Sequence, residues 1–274
     1  MPNSQRDSHK DLIERRRSSF GAAARAYAEH RPGYPREAVR WALERAAATR
    51  PGGEGRTAKG ALDVLDLGAG TGKLTAVVAA LGHRVTAVEP DAEMIAELRR
   101  LYPDVTTRQG DAERIPLPDA SVDAVVVGQA FHWFDQDRAL PEITRVLRPG
   151  GVVAGLWNAD DDRVEWVRGL VAVSPAEVST VSWGDGPGVG AHPLLGRLEV
   201  ELFTHRVRHT VDSLLAVIGT HSHQLTLEPA ALAEESARIR AYLEGCPETA
   251  SGPFDLPLTT RVEVRIRTGN FTGS

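Results

Sequence analysis

The chain is poor in cysteine. Cys246 is the single one in 274 residues, which excludes an intrachain disulfide framework and a thiolate metal cluster; it reads as a bystander. No apolar run is long enough to cross a bilayer. The N-terminus is polar and charged, without the apolar core of a secretory signal. These absences predict a cytoplasmic protein with no membrane partner. Basic charge is not in excess either: 32 Lys and Arg stand against 37 Asp and Glu, a formal net charge of −5. A nucleic-acid partner, which calls for a basic face, is therefore not expected, and Arg15-Arg16-Arg17 reads as a solvated helix face. What remains is an ordinary globular composition, 42% hydrophobic and 25% charged. The length suits one large α/β domain or one domain with an insertion, and no internal repeat is evident.

The most informative stretch is Val64-Leu65-Asp66-Leu67-Gly68-Ala69-Gly70-Thr71-Gly72-Lys73-Leu74-Thr75. Residues of β character run into an acid, then a turn with three glycines, then a segment of helical character. This is a strand–turn–helix opening of an α/β sheet. The glycines permit a sharp turn and a close ligand approach. The helix start offers free N–H groups and a partly positive end. Two familiar glycine loops do not fit. A P-loop needs a glycine where Leu67 stands and a hydroxyl where Leu74 stands. A dinucleotide fingerprint needs a third glycine where Lys73 stands. The pattern present is Asp-x-Gly-x-Gly-x-Gly.

Further along, Arg84-Val85-Thr86-Ala87-Val88 reads as a second strand ending in Glu89-Pro90-Asp91. Glu89 lies about twenty residues past the loop, where a carboxylate can take two ribose hydroxyls. Gly110-Asp111-Ala112-Glu113-Arg114-Ile115-Pro116 follows a third strand. Ser121-Val122-Asp123-Ala124-Val125-Val126-Val127 reads as a fourth, and Arg145-Val146-Leu147-Arg148-Pro149-Gly150-Gly151 lies beyond it. In order and spacing these segments resemble the motifs of class I S-adenosylmethionine-dependent methyltransferases, with Asp66–Gly72 as the first. The resemblance covers roughly residues 60 to 157.

That resemblance implies an α/β fold, a Rossmann-like, doubly wound seven-stranded sheet of order 3-2-1-4-5-7-6 with the last strand antiparallel. The uninterrupted valine runs suit strands buried on both faces. Strands are expected over 61–66, 84–88, 105–109, 122–128, 152–157, 199–210 and 260–268. Helices are expected over 36–49, 72–81, 91–102, 137–147, 160–173, 211–218 and 229–243. Residues 1–60 read as an N-terminal helical cap and connector. Residues 61–274 read as the methyltransferase domain, with 158–198 a substrate-lid insertion.

Ligands bind outside the carboxyl ends of parallel strands. By resemblance, the cofactor is S-adenosyl-L-methionine, leaving as S-adenosyl-L-homocysteine. The backbone at Gly68, Ala69 and Gly70 would face its methionine part, with Asp66 and Gln129 placing the ammonium. Glu89 would hold the ribose. Pro90 and Met94 would flank the adenine, though both equally suit a core, and Asp111 with the Ala112 N–H would read its edge. His30-Arg31-Pro32-Gly33-Tyr34-Pro35, preceded by Phe20 and Tyr27, resembles the N-terminal segment of the trans-aconitate methyltransferase-like small-molecule group, which closes over the cofactor. There Arg31 would meet a carboxylate, and Tyr27 and Tyr34 would wall the transfer pocket.

Gln129-Ala130-Phe131-His132-Trp133-Phe134-Asp135 follows strand four and resembles the same group, placing Phe131 and Trp133 beside the acceptor. Methyl transfer from a sulfonium is an in-line displacement that needs alignment and exclusion of water. A carboxylate acceptor needs no base; for a hydroxyl, amine or enol, His132 is the candidate, unless it is structural. His221 and His223 are second candidates for the acceptor site. Their i, i+2 spacing does not share a helix face, so no metal pair is expected. Asp135 and Asp160-Asp161-Asp162 lie near where a metal-assisted enzyme places carboxylates, but the acidic run also suits a helix start, and no metal is expected. The Asp/Asn-Pro-Pro-aromatic motif of amino-methylating nucleic-acid enzymes is absent after strand four. The expected partner is a small-molecule acceptor, methylated at oxygen, and the enzyme a monomer or homodimer. The alternatives are a fold relative catalysing cyclisation or elimination on a natural product, and a non-catalytic binder of the same cofactor.

Overall fold

The structure is a computed structural model that describes residues 32–48, 60–174, 188–219 and 228–269. Its elements, in chain order, are α1 (Arg36–Ala48), β1 (Asp63–Leu67), α2 (Lys73–Ala80), β2 (Arg84–Glu89), α3 (Ala92–Leu101), β3 (Thr106–Gln109) and β4 (Val122–Gly128). A 3-10 turn (Phe131–Trp133) precedes α4 (Gln136–Val146), β5 (Leu147–Asp160), α5 (Glu165–Val173), β6 (Glu199–His209), α6 (Val211–Ile218), α7 (Pro229–Gly245) and β7 (Phe254–Ile266).

The seven strands form one sheet in the order β3-β2-β1-β4-β5-β7-β6. β1 pairs in parallel with β2 and β4, β2 with β3, and β4 with β5. Successive side chains of a strand point to opposite faces, and two separate cores result. Leu65, Leu67, Val125, Val127 and Val153 join Phe131 and Ile143 on one side. Val64, Ala124, Val126, Val152 and Ala154 join Ala38, Val39 and Leu43 of α1 on the other. The valine-rich strands are covered on both faces, as their lack of polar alternation demands.

β7 runs against β5. The Gly150 N–H donates to the Arg267 carbonyl at 2.9 Å, and the Arg267 N–H donates to the Gly151 carbonyl at 2.7 Å. Two residues of β5 thus oppose one partner, and the first is a glycine at φ +79. This is an antiparallel bulge of the kind that needs a left-handed glycine. It carries β5 through Arg148-Pro149-Gly150-Gly151, a stretch outside the expected strand, so β5 begins five residues before the expected Val152. β7 likewise begins at Phe254, six residues before the expected Thr260. α5 begins at Glu165 rather than Asp160. The acidic run does not open that helix, because Asp161 is spent on Arg163, with Nε at 2.6 Å and Nη2 at 2.7 Å.

The described residues fall into two compact units. The larger lies within 33–158, 184–203 and 260–274 and holds both cores named above. The other lies within 159–183 and 204–259, with its own core of Trp166, Val167, Leu170, Leu214, Ile239, Leu243 and Phe254. In that unit the Tyr242 hydroxyl donates to the Trp166 carbonyl at 2.7 Å, an approach that only a glycine at position 169 leaves room for. Within the larger unit, the end of the 158–198 segment is fastened down. Gln136 accepts from the Gly190 N–H and donates to the Gly188 carbonyl, both at 3.0 Å. Residues 175–187 lie outside the described residues.

Candidate cofactor site

The glycine loop joins β1 to α2, and its three glycines do two different things. All three have positive φ, at +71, +55 and +91 for Gly68, Gly70 and Gly72. A Cβ on Gly68 would press on Ala130 and Phe134, and one on Gly72 on Tyr102 and Leu98; one on Gly70 would meet nothing within 4 Å. Gly68 and Gly72 serve packing, while Gly70 borders open space. Four N–H groups of the loop itself are paired, ahead of those at the helix start. Those of Gly68 and Ala69 donate to the Val88 carbonyl at 2.8 and 3.1 Å, and that of Gly72 to the Ala69 carbonyl at 2.9 Å. The Gly70 N–H donates to Glu89 Oε2 at 2.9 Å. A buried backbone donor must be paired, and β2 takes three of these four.

Asp66 is the next-to-last residue of β1 and is 1% exposed. Gly72, the cap of α2, offers no side chain, and Asp66 takes that part from the neighbouring strand: its Oδ2 accepts the Thr75 hydroxyl at 2.5 Å. Oδ1 has no partner, and neither does the buried Thr71 hydroxyl in the same loop. Burial raises the Asp66 pKa to about 7. The Thr75 hydrogen bonds pull it down, and the Glu89 charge adds to the rise. A buried orphan oxygen forfeits about 1–3 kcal/mol. A cationic or hydrogen-bonding group beside Oδ1 recovers it, so the residues present fit the ammonium-bearing cofactor predicted for this loop.

Glu89 ends β2. Besides Gly70 it accepts from the Asp91 N–H, Oε1 to N 3.1 Å, and so ties the glycine loop to the start of α3. A carboxylate has about four lone-pair sites, and a ribose hydroxyl is a donor suited to them. Asp91 caps α3 by accepting from the N–H groups of Glu93 and Met94 at 2.9 and 3.0 Å. Pro90 is exposed, and its carbonyl accepts from Gln109 at 3.0 Å. Met94 is buried, Asp111 is exposed and Ala112 is buried.

At the end of β4 the chain turns sharply. Gln129 has φ +54, left-handed for a residue with a side chain. Its N–H donates to the Leu156 carbonyl at 2.9 Å, and its Nε2 to the Asn158 carbonyl at 2.8 Å. His132 stands in the turn that follows, its ring 4.7 Å from that of Trp133. The ring remains in reach of water, yet the protein around it strips enough solvent to lower its pKa to about 4. Trp133 is half-buried. Phe131, expected beside the acceptor, is instead 0% exposed. It packs on Phe134 and Trp157 at 5.5 and 6.1 Å, so it supports the rim from beneath and offers a ligand no surface. Tyr34 lies across the end of β4, where a Cβ on Gly128 would come within 2.5 Å of its hydroxyl. Tyr27, Arg31, His221 and His223 lie outside the described residues.

The structure therefore gathers Asp66, Gly68, Ala69, Gly70, Glu89 and Gln129 at the carboxyl ends of adjacent parallel strands. Sequence reasoning missed Thr71, Thr75 and Asn158. The first two lie inside the glycine stretch, and a hydroxyl within reach of a buried acid was the available signal. Asn158 lies near the carboxyl end of β5, the strand next to β4. Among the described residues, no three His, Cys, Asp or Glu side chains converge as a metal site, and no helix is long and apolar enough to cross a membrane.

Comparison with known proteins gives this geometry a family. A model described as "Methyltransferase domain" matches residues 65–155, from the middle of β1 into β5. An uncharacterized methyltransferase of Mycobacterium tuberculosis is 39% identical over 252 residues, 88% of this chain and 93% of that one. A malonyl-[acyl-carrier protein] O-methyltransferase of Pectobacterium atrosepticum is 37% identical over 143 residues, 52% of each. A solved structure from Anaeromyxobacter dehalogenans, assigned as a type II methyltransferase, superposes with TM-score 0.56 at 31% identity, covering 87% of this chain and 97% of its own. A relative at that identity across nearly the whole length, and a glycine loop built around a buried, half-satisfied acid, agree: the chain belongs to the class I S-adenosylmethionine-dependent methyltransferases.

Proposed function

We propose that the acceptor is a small molecule and that the methyl group goes to one of its carboxylate oxygens. What supports an anionic acceptor is the setting of His132: its ring lies 4.7 Å from that of Trp133, and the protein around it lowers its pKa, which makes it a weaker base toward a hydroxyl. An acceptor that is already an anion needs no such base. S-adenosylmethionine supplies a methyl group on a sulfonium, and an anionic oxygen takes it with no proton to move. The chain's own task is then to hold, align and dry the reactants. Asp66, Gly70, Glu89 and Gln129 hold the cofactor side, with Met94, Asp111 and Ala112 toward its base. Tyr34, His132 and Trp133 border the acceptor side. The Pectobacterium relative, named as an O-methyltransferase of a malonyl group, supports oxygen as the acceptor atom. The acidic net charge favours a free small molecule over nucleic acid, and the single cysteine favours the cytoplasm.

The test is uptake of labelled methyl by a panel of small carboxylic acids and phenols, followed by mild alkaline treatment. Label released as methanol marks an ester and supports the proposal. Label retained as an ether on phenols alone overturns it.

A further inference from the structure

The polar groups around Asn158 form a junction that the cofactor site does not account for. Asn158 is 6% exposed. Its Nδ2 donates to the Gly33 carbonyl at 2.9 Å, and its Oδ1 accepts the Thr260 hydroxyl of β7 at 2.5 Å. Its main-chain carbonyl accepts from Gln129 Nε2 at 2.8 Å. One side chain near the end of β5 thus joins the turn before α1 to β7, while its backbone braces the left-handed residue that follows β4.

Each connection has a consequence for the rim. Gly33 immediately precedes Tyr34, and Tyr34 rests where Gly128 has no side chain. Only glycine at 128 leaves room for that ring, and one of the bonds that fix the chain next to it is that of Asn158 to the Gly33 carbonyl. Gln129 has a backbone conformation that costs a residue with a Cβ about 1–2 kcal/mol. Such a conformation persists only where the surroundings over-determine it, and here the Asn158 carbonyl supplies one of the constraints.

We propose that Asn158 is a positioning residue for the methyltransferase reaction: through its bond to the Gly33 carbonyl it latches Tyr34 against the end of β4. The proposal rests on the reading that Tyr34 borders the cofactor and acceptor, and it adds the residue that fixes where Tyr34 stands. Asn158 itself need touch neither reactant.

Asn158→Asp separates the two side-chain bonds. An aspartate still accepts from Thr260 but cannot donate to Gly33. Thr260→Val does the reverse, removing the tie to β7 and leaving the latch. Hydrogen exchange of the peptide spanning 33–39, measured on the full chain without cofactor, is expected to quicken at least tenfold in Asn158→Asp and to stay within twofold of wild type in Thr260→Val. Affinity for S-adenosylhomocysteine, by calorimetry, is expected to fall about tenfold in Asn158→Asp. In a Tyr34→Ala background the same substitution should change affinity less than twofold, because the residue through which it acts is gone. Unchanged exchange in Asn158→Asp overturns the latch. Quickened exchange with unchanged affinity overturns its positioning role. An equal loss of affinity with and without Tyr34 reduces Asn158 to a structural residue. Wild-type protein that fails to bind the nucleoside contradicts the reading of the site, while the exchange result still decides whether the latch exists.

Discussion

Thr75 donates its hydroxyl to Asp66 Oδ2 at 2.5 Å and leaves Oδ1 buried and alone. The strand acid that caps the helix is therefore only half satisfied, and its pKa is raised to about 7. In the unfolded chain the same carboxyl ionises near 4. Between those values the native state holds a proton that the unfolded state has lost, so this group's contribution declines as pH rises from about 4 to about 7 and is flat above. Three pKa units correspond to an upper bound of about 4 kcal/mol. Urea unfolding of wild type and Asp66→Asn across that range should show wild type losing stability relative to the variant as pH rises toward neutral. A difference that does not vary with pH would refute the assignment. Calorimetry near pH 6, in buffers of different ionisation enthalpy, should show up to about one proton released as the cofactor binds.

Gly70 and Gly72 should respond to alanine in opposite ways. Gly70→Ala meets no neighbouring atom and costs only the strain of a positive φ, about 1–2 kcal/mol, but its methyl enters the open space and should weaken S-adenosylhomocysteine binding at least tenfold. Gly72→Ala carries the same strain and also collides with Tyr102 and Leu98. Its unfolding midpoint should fall further than that of Gly70→Ala. Equal losses of stability in the two variants would deny the distinction.

A histidine that titrates near 4 leaves a flat pH profile. Once an acceptor is found, the rate at saturating cofactor should vary less than threefold between pH 6 and 9, and His132→Ala should lower it by less than tenfold. A base contributes about 10²–10⁴-fold. A loss in that range, with a rate that climbs with pH in wild type, would restore His132 to that role and remove the support for a carboxylate acceptor.

Arg145 belongs to a stretch that resembles a family motif, yet its contacts are architectural. It donates to both oxygens of Glu142 and to Asp119, each at 2.7 Å, and to the carbonyls of Ile115 and Leu117 at 2.9 and 2.8 Å. Lysine cannot reproduce that planar fork. Arg145→Lys should lose about 2–3 kcal/mol of stability with no change in cofactor affinity at saturating folded protein, checked by urea titration and calorimetry.

How much of this was legible in the sequence depended on how local each feature is. β4 and α6 occupy the ranges their valine run and apolar spacing predict. The sheet order came from the resemblance, since no periodicity in β5, β6 or β7 says which strands are neighbours. The glycine loop and Glu89 were readable because a sharp turn and a carboxylate about twenty residues later lie in one short window. Asn158 was not, because its partners Gly33, Gln129 and Thr260 lie 125, 29 and 102 residues away. Phe131 was misplaced for a related reason. An aromatic residue beside a predicted site looks the same in sequence whether its ring faces a ligand or the core.

The place of β7 constrains how the chain is made. It lies between β5 and β6, both of which leave the ribosome before it. Until residues 254–266 emerge, β5 presents a row of unpaired backbone groups along most of its length, and such an edge can recruit another chain. β7 must join the edge of β5, and β6 has no neighbour in the sheet until it does, a non-local step that comes late. A nascent chain stalled before Phe254 should therefore be the form most prone to aggregation and most dependent on chaperones, even though every residue of the glycine loop is already present in it.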